Sequence, residues 1–165
     1  MSSKNGHMYI ALALVAAIIV MSIGTYARWW DLHIVVASQS LVHWAGIIPA
    51  GYIAVFTPIY ASLKRRSPGR FRTLLNIHVF GNLLAFLLIS MHFADHLARP
   101  VFPHNISTGL TLYVVVALMV LTGLMQRFRL ANRIQRARRW THVSLSLAFY
   151  IVVIMHVIIT LAILH

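Results

Sequence analysis

The sequence predicts an all-α protein, an integral membrane helical bundle of five transmembrane helices. Three observations predict it. The 165 residues are 60% hydrophobic and 10% charged, with a mean hydropathy of +0.81, more apolar surface than a soluble domain of this length can bury. The apolar residues fall into five runs, each long enough to cross a hydrocarbon core about 30 Å thick. The bases gather in the connections between those runs, which is where the positive-inside rule puts them.

The first run, near 8–27, follows Lys4 and ends in "GTYA". It has the outline of a secretory leader but is long for one, so a retained helix is expected. The second, near 41–62, carries Pro49 and Pro58. "KRRSPGRFR", Lys64 to Arg72, supplies five bases and a Ser-Pro-Gly turn, a tight hairpin into the third run near 74–97. The fourth lies near 107–126. "RFRLANRIQRARR", Arg127 to Arg139, adds six bases before the fifth, near 141–163. The remaining connections hold Arg28 with Asp31 and Arg99 with Asp95. This asymmetry predicts a protein integral to the cell membrane, with its N-terminus cytoplasmic and its C-terminus outside. No internal repeat or linker is evident, so one domain over 1–165 is expected.

Fourteen Lys and Arg face two acids, a balance that in a soluble chain points to nucleic acid. Here the bases sit at span ends, so lipid headgroups are the expected partner and nucleic acid is not. There is no cysteine, which excludes disulfides, thiolate iron–sulfur ligation and covalent haem attachment through Cys-x-x-Cys-His. A Gly-rich dinucleotide fingerprint is missing too. Any redox centre must be held non-covalently, with electrons from a partner.

"LLNIHVFGNLLAFLLISMH", Leu74 to His92, has His78 and His92 fourteen positions apart; "THVSLSLAFYIVVIMH", Thr141 to His156, places His142 and His156 at the same interval. Imidazoles at membrane depth are uncommon and mark function more often than chance allows. At about 100° per residue, fourteen steps fall only about 40° short of whole turns, so each pair shares a helix face, its members about 21 Å apart. Both helices run from the basic side outward. His78 and His142 then lie level near the inner side, and His92 and His156 near the outer. Two facing imidazole pairs are what two bis-histidine haems need, one iron between His78 and His142 and one between His92 and His156. His96, one turn beyond His92, is an alternative outer ligand.

The surroundings suit that expectation. Gly81, near His78, is small enough for a flat macrocycle to approach the backbone, or for plain helix packing. Arg70, Arg72, Arg138 and Arg139 near the inner pair, with Arg28 and Arg99 near the outer, are cations for haem propionates. On the expected outer side lie His33, His43, His96, His104, His165, Asp31 and Asp95. Of these, Asp95, His96, His33 and His104 are a candidate site for a metal-ion substrate or quinol protons, and Asp95 is a candidate acceptor for an imidazole N–H of a ligand. "RWWDLH", Arg28 to His33, reads as an interfacial aromatic belt.

The patterns "HVFGNLLAFLLISMH" and "RRWTHVSLSLAFYIVVIMH", with paired histidines in the third and fifth spans, resemble the transmembrane domain of ferric reductases and NADPH oxidases over residues 70–160. The resemblance implies two non-covalent b haems carrying electrons from a cytoplasmic reductant to an outer acceptor such as a metal ion, oxygen or a quinone. Those proteins have six spans and a flavin- and nicotinamide-binding module. Five spans without it imply a separate flavoprotein or iron–sulfur donor, and a ferric-reductase-like protein or an oxidoreductase's cytochrome b subunit. A quinone-linked cytochrome b anchor and a histidine-based metal or proton transporter are the alternatives.

Overall fold

The computed structural model describes every residue except Met1, Asp31, His33, 100–105, Ala131, Leu164 and His165, and the side chains of 2–5, Asn132 and 161–163 are likewise outside it. Five helices account for almost all of it: α1 (Ser2–Tyr26), α2 (Leu41–Arg66), α3 (Phe71–Leu97), α4 (Ile106–Arg127) and α5 (Gln135–Ile163). Each is long and apolar enough to cross a bilayer, which marks the chain as a membrane protein by length and composition. Every expected span is a helix. α2 and α5 run several residues past the apolar runs because their basic ends, Lys64 to Arg66 and Gln135 to Arg139, remain helical. Arg and Lys are good helix formers whose charge suits a helix C-terminus, as in α2.

The contacts group into two compact units, 1–98 and 99–165. In the first unit, α3 lies between α1 and α2. α1 runs alongside α3 in the same direction: His7 meets Phe80 near one end, and the Arg28 guanidinium donates to the Ala98 carbonyl at the other. α2 runs opposite to α3, Val42 lying beside His92 and Tyr60 beside His78. α3 is accordingly the buried element, with Val79, Leu83, Ala85, Ile89 and Ala94 inside together with the polar Asn82, Ser90 and Asp95. In the second unit α4 and α5 form an antiparallel hairpin around Val116, Met119 and Phe149. The remaining apolar surface, such as Leu147, Ile151 and Ile158 of α5, faces outward, as a lipid-facing surface does.

Two local features were not legible beforehand. A two-residue β-hairpin, β1 (Val35–Val36) with β2 (Gln39–Ser40), precedes α2. Ala37 and Ser38 both have positive φ, 49° and 69°, the signature of a type I′ turn without its usual Asn-Gly. Ser40 then caps α2, its hydroxyl accepting from the His43 N–H at 3.3 Å. The chain leaves α1 and α4 in the same way. Arg28 and Arg129, both at φ 56°, take the left-handed position, while Trp29 N–H bonds the Gly24 carbonyl and Leu130 N–H the Met125 carbonyl, the Schellman pattern with arginine where glycine is usual. Pro49 and Pro58 do not interrupt α2.

Candidate functional site: four seated histidines

Three of the four paired histidines, His92, His142 and His156, share one construction: the Nδ1 lies against an oxygen of a neighbouring helix. On α3, the His92 Nδ1 lies 2.8 Å from the Val42 carbonyl of α2. A carbonyl only accepts, so Nδ1 carries the proton and Nε2 the lone pair. The ring lies flat against Gly46, where a Cβ would stand 3.0 Å from three of its atoms. Val42 and Gly46 are one turn apart on α2, so one supplies the acceptor and the other the space. The Val42 carbonyl thus accepts from this nitrogen, and Asp95, the acceptor expected from sequence, is buried three residues further along α3.

On α5, the His142 Nδ1 lies 3.0 Å from the Thr122 hydroxyl and the His156 Nδ1 3.0 Å from the Thr108 hydroxyl, both on α4. The Thr122 oxygen also lies 2.8 and 3.0 Å from the carbonyls of Leu118 and Met119. When its one proton goes to either carbonyl, the oxygen accepts from His142 and Nε2 holds the lone pair. Each ring also rests on the next residue, Gly123 for His142 and Gly109 for His156, with Cβ clearances of 3.3 and 3.6 Å. One turn further along α5, Ser146 donates to the His142 carbonyl and Thr160 to the His156 carbonyl, at 2.9 and 2.7 Å.

These seats expose a repeat that inspection of the sequence missed. "TGL" occurs at 108–110 and again at 122–124, fourteen positions later. "HVSLS" at 142–146 is answered by "HVIIT" at 156–160. The repeat is short and degenerate; what makes it visible is that antiparallel α4 and α5 bring each Thr-Gly under one histidine.

His78 is seated differently. Tyr60 of α2 stacks on its ring, centroids 4.2 Å apart and planes 5° from parallel. Its Nδ1 lies 3.4 Å from the Asn82 amide nitrogen. Gly81, expected to admit a macrocycle or to serve packing, leaves room for the Tyr52 phenol, which donates to the Ile77 carbonyl.

The arginines divide. Arg70, Arg72 and Arg139 are exposed at the ends of their helices, as basic residues at a membrane surface are, and Arg99 is half-buried. Arg138 is buried and turned back to the Leu130 carbonyl, and Arg28 is engaged at Ala98, so backbone carbonyls hold these two guanidinium groups. Of the residues expected on the outer side, His96 and His43 meet the His92 ring edge-on, at 4.6 and 6.0 Å, and Asp95 is buried on α3. His33 and His104 lie outside the described residues. Among the described residues no three His, Asp or Glu side chains are grouped to hold a metal ion. The Trp30 indole N–H donates to Thr25 at 3.2 Å, whereas Trp29 is exposed, in keeping with a belt residue.

Comparison with family models, with curated proteins and with solved structures gives no match.

Proposed function

We propose that this chain carries electrons across a membrane through two non-covalent b haems, His78 and His142 serving the inner iron and His92 and His156 the outer. The observation that carries the reading is the seating of the histidines. A metal-ligating imidazole characteristically donates its other ring N–H to a carbonyl or hydroxyl, which fixes the tautomer and aims the lone pair. The Val42 carbonyl imposes that state on His92, and the Thr122 and Thr108 hydroxyls can accept the same N–H from His142 and His156. Any buried imidazole needs one such partner; what points to ligation is the repetition, three seats that use the same ring nitrogen, two of them at a fourteen-residue interval.

The donor set fits a haem. It offers imidazole nitrogens in pairs at matched depth, and the chain has no thiolate to compete. When bound, each haem supplies one-electron chemistry. The protein's part is to hold the imidazoles at fixed angles and to place cations at the span ends. There Arg72 and Arg139 on the inner side and Arg99 on the outer would meet the propionates. The pairing of α3 with α5 rests on equal spacing and equal depth in the sequence. A cytoplasmic flavoprotein or iron–sulfur protein is the proposed donor, and an outer metal ion, oxygen or quinone the proposed acceptor. The transporter alternative wants helices broken at mid-membrane, and α2 continues through both of its prolines.

The test is an absorbance spectrum of the purified chain, oxidised and then reduced. Low-spin haem bands at two haems per chain are expected. His92→Ala and His142→Ala should each remove one haem, a different one in each case. A protein purified from haem-replete membranes with no Soret band refutes the proposal.

A further inference from the structure

His78 departs from the pattern set by the other three histidines, and the departure has a chemical consequence. As the Asn82 amide stands, its –NH2 faces the His78 Nδ1 at 3.4 Å. An amide nitrogen donates and does not accept. Nδ1 must therefore hold the lone pair, and the proton falls on Nε2. That tautomer is the reverse of the one fixed at His92, and it cannot offer Nε2 to a metal. The Asn82 oxygen, meanwhile, is buried with no hydrogen-bond partner, on a side chain only 8% exposed. A buried carbonyl oxygen left without a donor costs on the order of 1–3 kcal/mol. One rotation gives the oxygen a donor and frees the other ring nitrogen. Turning the amide by half a revolution presents Oδ1 to His78, so that Nδ1–H donates to it and the Nε2 lone pair is released for ligation.

We infer that Asn82 is the positioning residue of the inner site, its amide setting by its orientation whether His78 presents a proton or a lone pair. This rests on the ligand role proposed for His78, but it concerns the neighbouring side chain. Two features of the site make Asn82 suited to the task. A carboxamide presents a donor and an acceptor of nearly the same shape, so the turn needs no repacking. Tyr60, stacked face to face on His78, holds the plane of the ring while the proton changes nitrogen. The Val42 carbonyl that seats His92 lacks this choice, because a carbonyl oxygen can only accept. His78 is thus conditional where His92 is fixed. Binding of iron at His78 is coupled to one amide rotation and one proton relocation within the imidazole.

The test compares the full-length protein with Asn82→Asp and Asn82→Leu. Aspartate is acceptor-only, so it should lock the ligating tautomer and raise the donor strength of His78. Leucine keeps the bulk and removes the acceptor. A redox titration followed by absorbance should show the haem that is lost in His78→Ala moving to lower potential in Asn82→Asp. About tenfold in the reduction equilibrium, or about 59 mV for one electron, is the expected size, with the other haem unmoved. Asn82→Leu should weaken retention of that same haem roughly 10–100-fold. In haem-free protein, 15N shifts of His78 should report an Nδ1–H ring in Asn82→Asp and an Nε2–H ring in the wild type. Unchanged potentials and haem retention in both variants, with the same His78 tautomer throughout, overturn the inference while leaving the haem reading intact. Wild-type protein that binds no haem refutes the haem reading, and the nitrogen shifts then still decide whether Asn82 sets the tautomer.

Discussion

Thr122 offers the sharpest test of whether the seats are built for ligands or are incidental helix contacts. Thr122→Val keeps the branched shape and removes the oxygen. That oxygen has two duties within reach: it can accept from His142 at 3.0 Å, and it can donate to the carbonyls of Leu118 and Met119. The second duty lies within α4, and those carbonyls keep their helical partners, so its loss costs little. The first is an interhelical hydrogen bond in an apolar setting. Such bonds average only about 0.6 kcal/mol in membrane helices, with a maximum near 1.7. The stability loss of the α4–α5 hairpin should therefore stay below about 2 kcal/mol, too small to unfold the protein. A ligand seat should show a much larger effect on haem retention, roughly 10–100-fold, because the imidazole loses the partner that orients it. The assay is a double-mutant cycle of Thr122→Val and His142→Leu. Unfolding in denaturing detergent gives stability, and haem-to-protein ratio gives occupancy, with Thr122→Ser as the variant that retains the hydroxyl. Coupling confined to stability, with wild-type haem occupancy in Thr122→Val, would sink the seat argument.

The glycines give two more expectations. Gly46→Leu drives a side chain into the His92 ring, already at 3.0 Å from a single added carbon. It should displace that imidazole, cost about 1–3 kcal/mol by overpacking and lower occupancy at the outer haem alone, read from the same spectrum. Gly81→Val should be comparably destabilising through collision with the Tyr52 phenol. Here the remedy is specific: Tyr52→Ala in the same chain should restore thermal stability and leave haem content unchanged. Haem loss in Gly81→Val that Tyr52→Ala does not reverse would return Gly81 to the macrocycle-facing role.

The outer group was less legible than the ladder. The sequence placed Asp95, His96, His33 and His104 together because the loops fall on one side, a constraint on depth but not on direction. The fold turns His96 and His43 toward His92 and gives the His92 N–H to a backbone carbonyl. Backbone acceptors carry no residue identity, so no reading of side chains could have singled out Val42. The threonines on α4 did leave a trace, the fourteen-residue repeat of "TGL". It was overlooked because neither Thr nor Gly is unusual in a membrane helix, and only their position beneath His142 and His156 gives them meaning. Asn82 likewise reads as a helix-interface polar residue until its oxygen is found buried beside His78.

The sequence by itself determined what depends on local composition and periodicity. Five apolar runs make five helices, because a chain in lipid must satisfy its backbone internally and the helix does so within one segment. Equal spacing puts each histidine pair on one face, because the helical repeat is fixed. Only the tertiary structure decided which atom holds each imidazole. A tautomer is set by a single proton between two atoms about 3 Å apart, and in three of the four seats those atoms belong to helices distant in sequence.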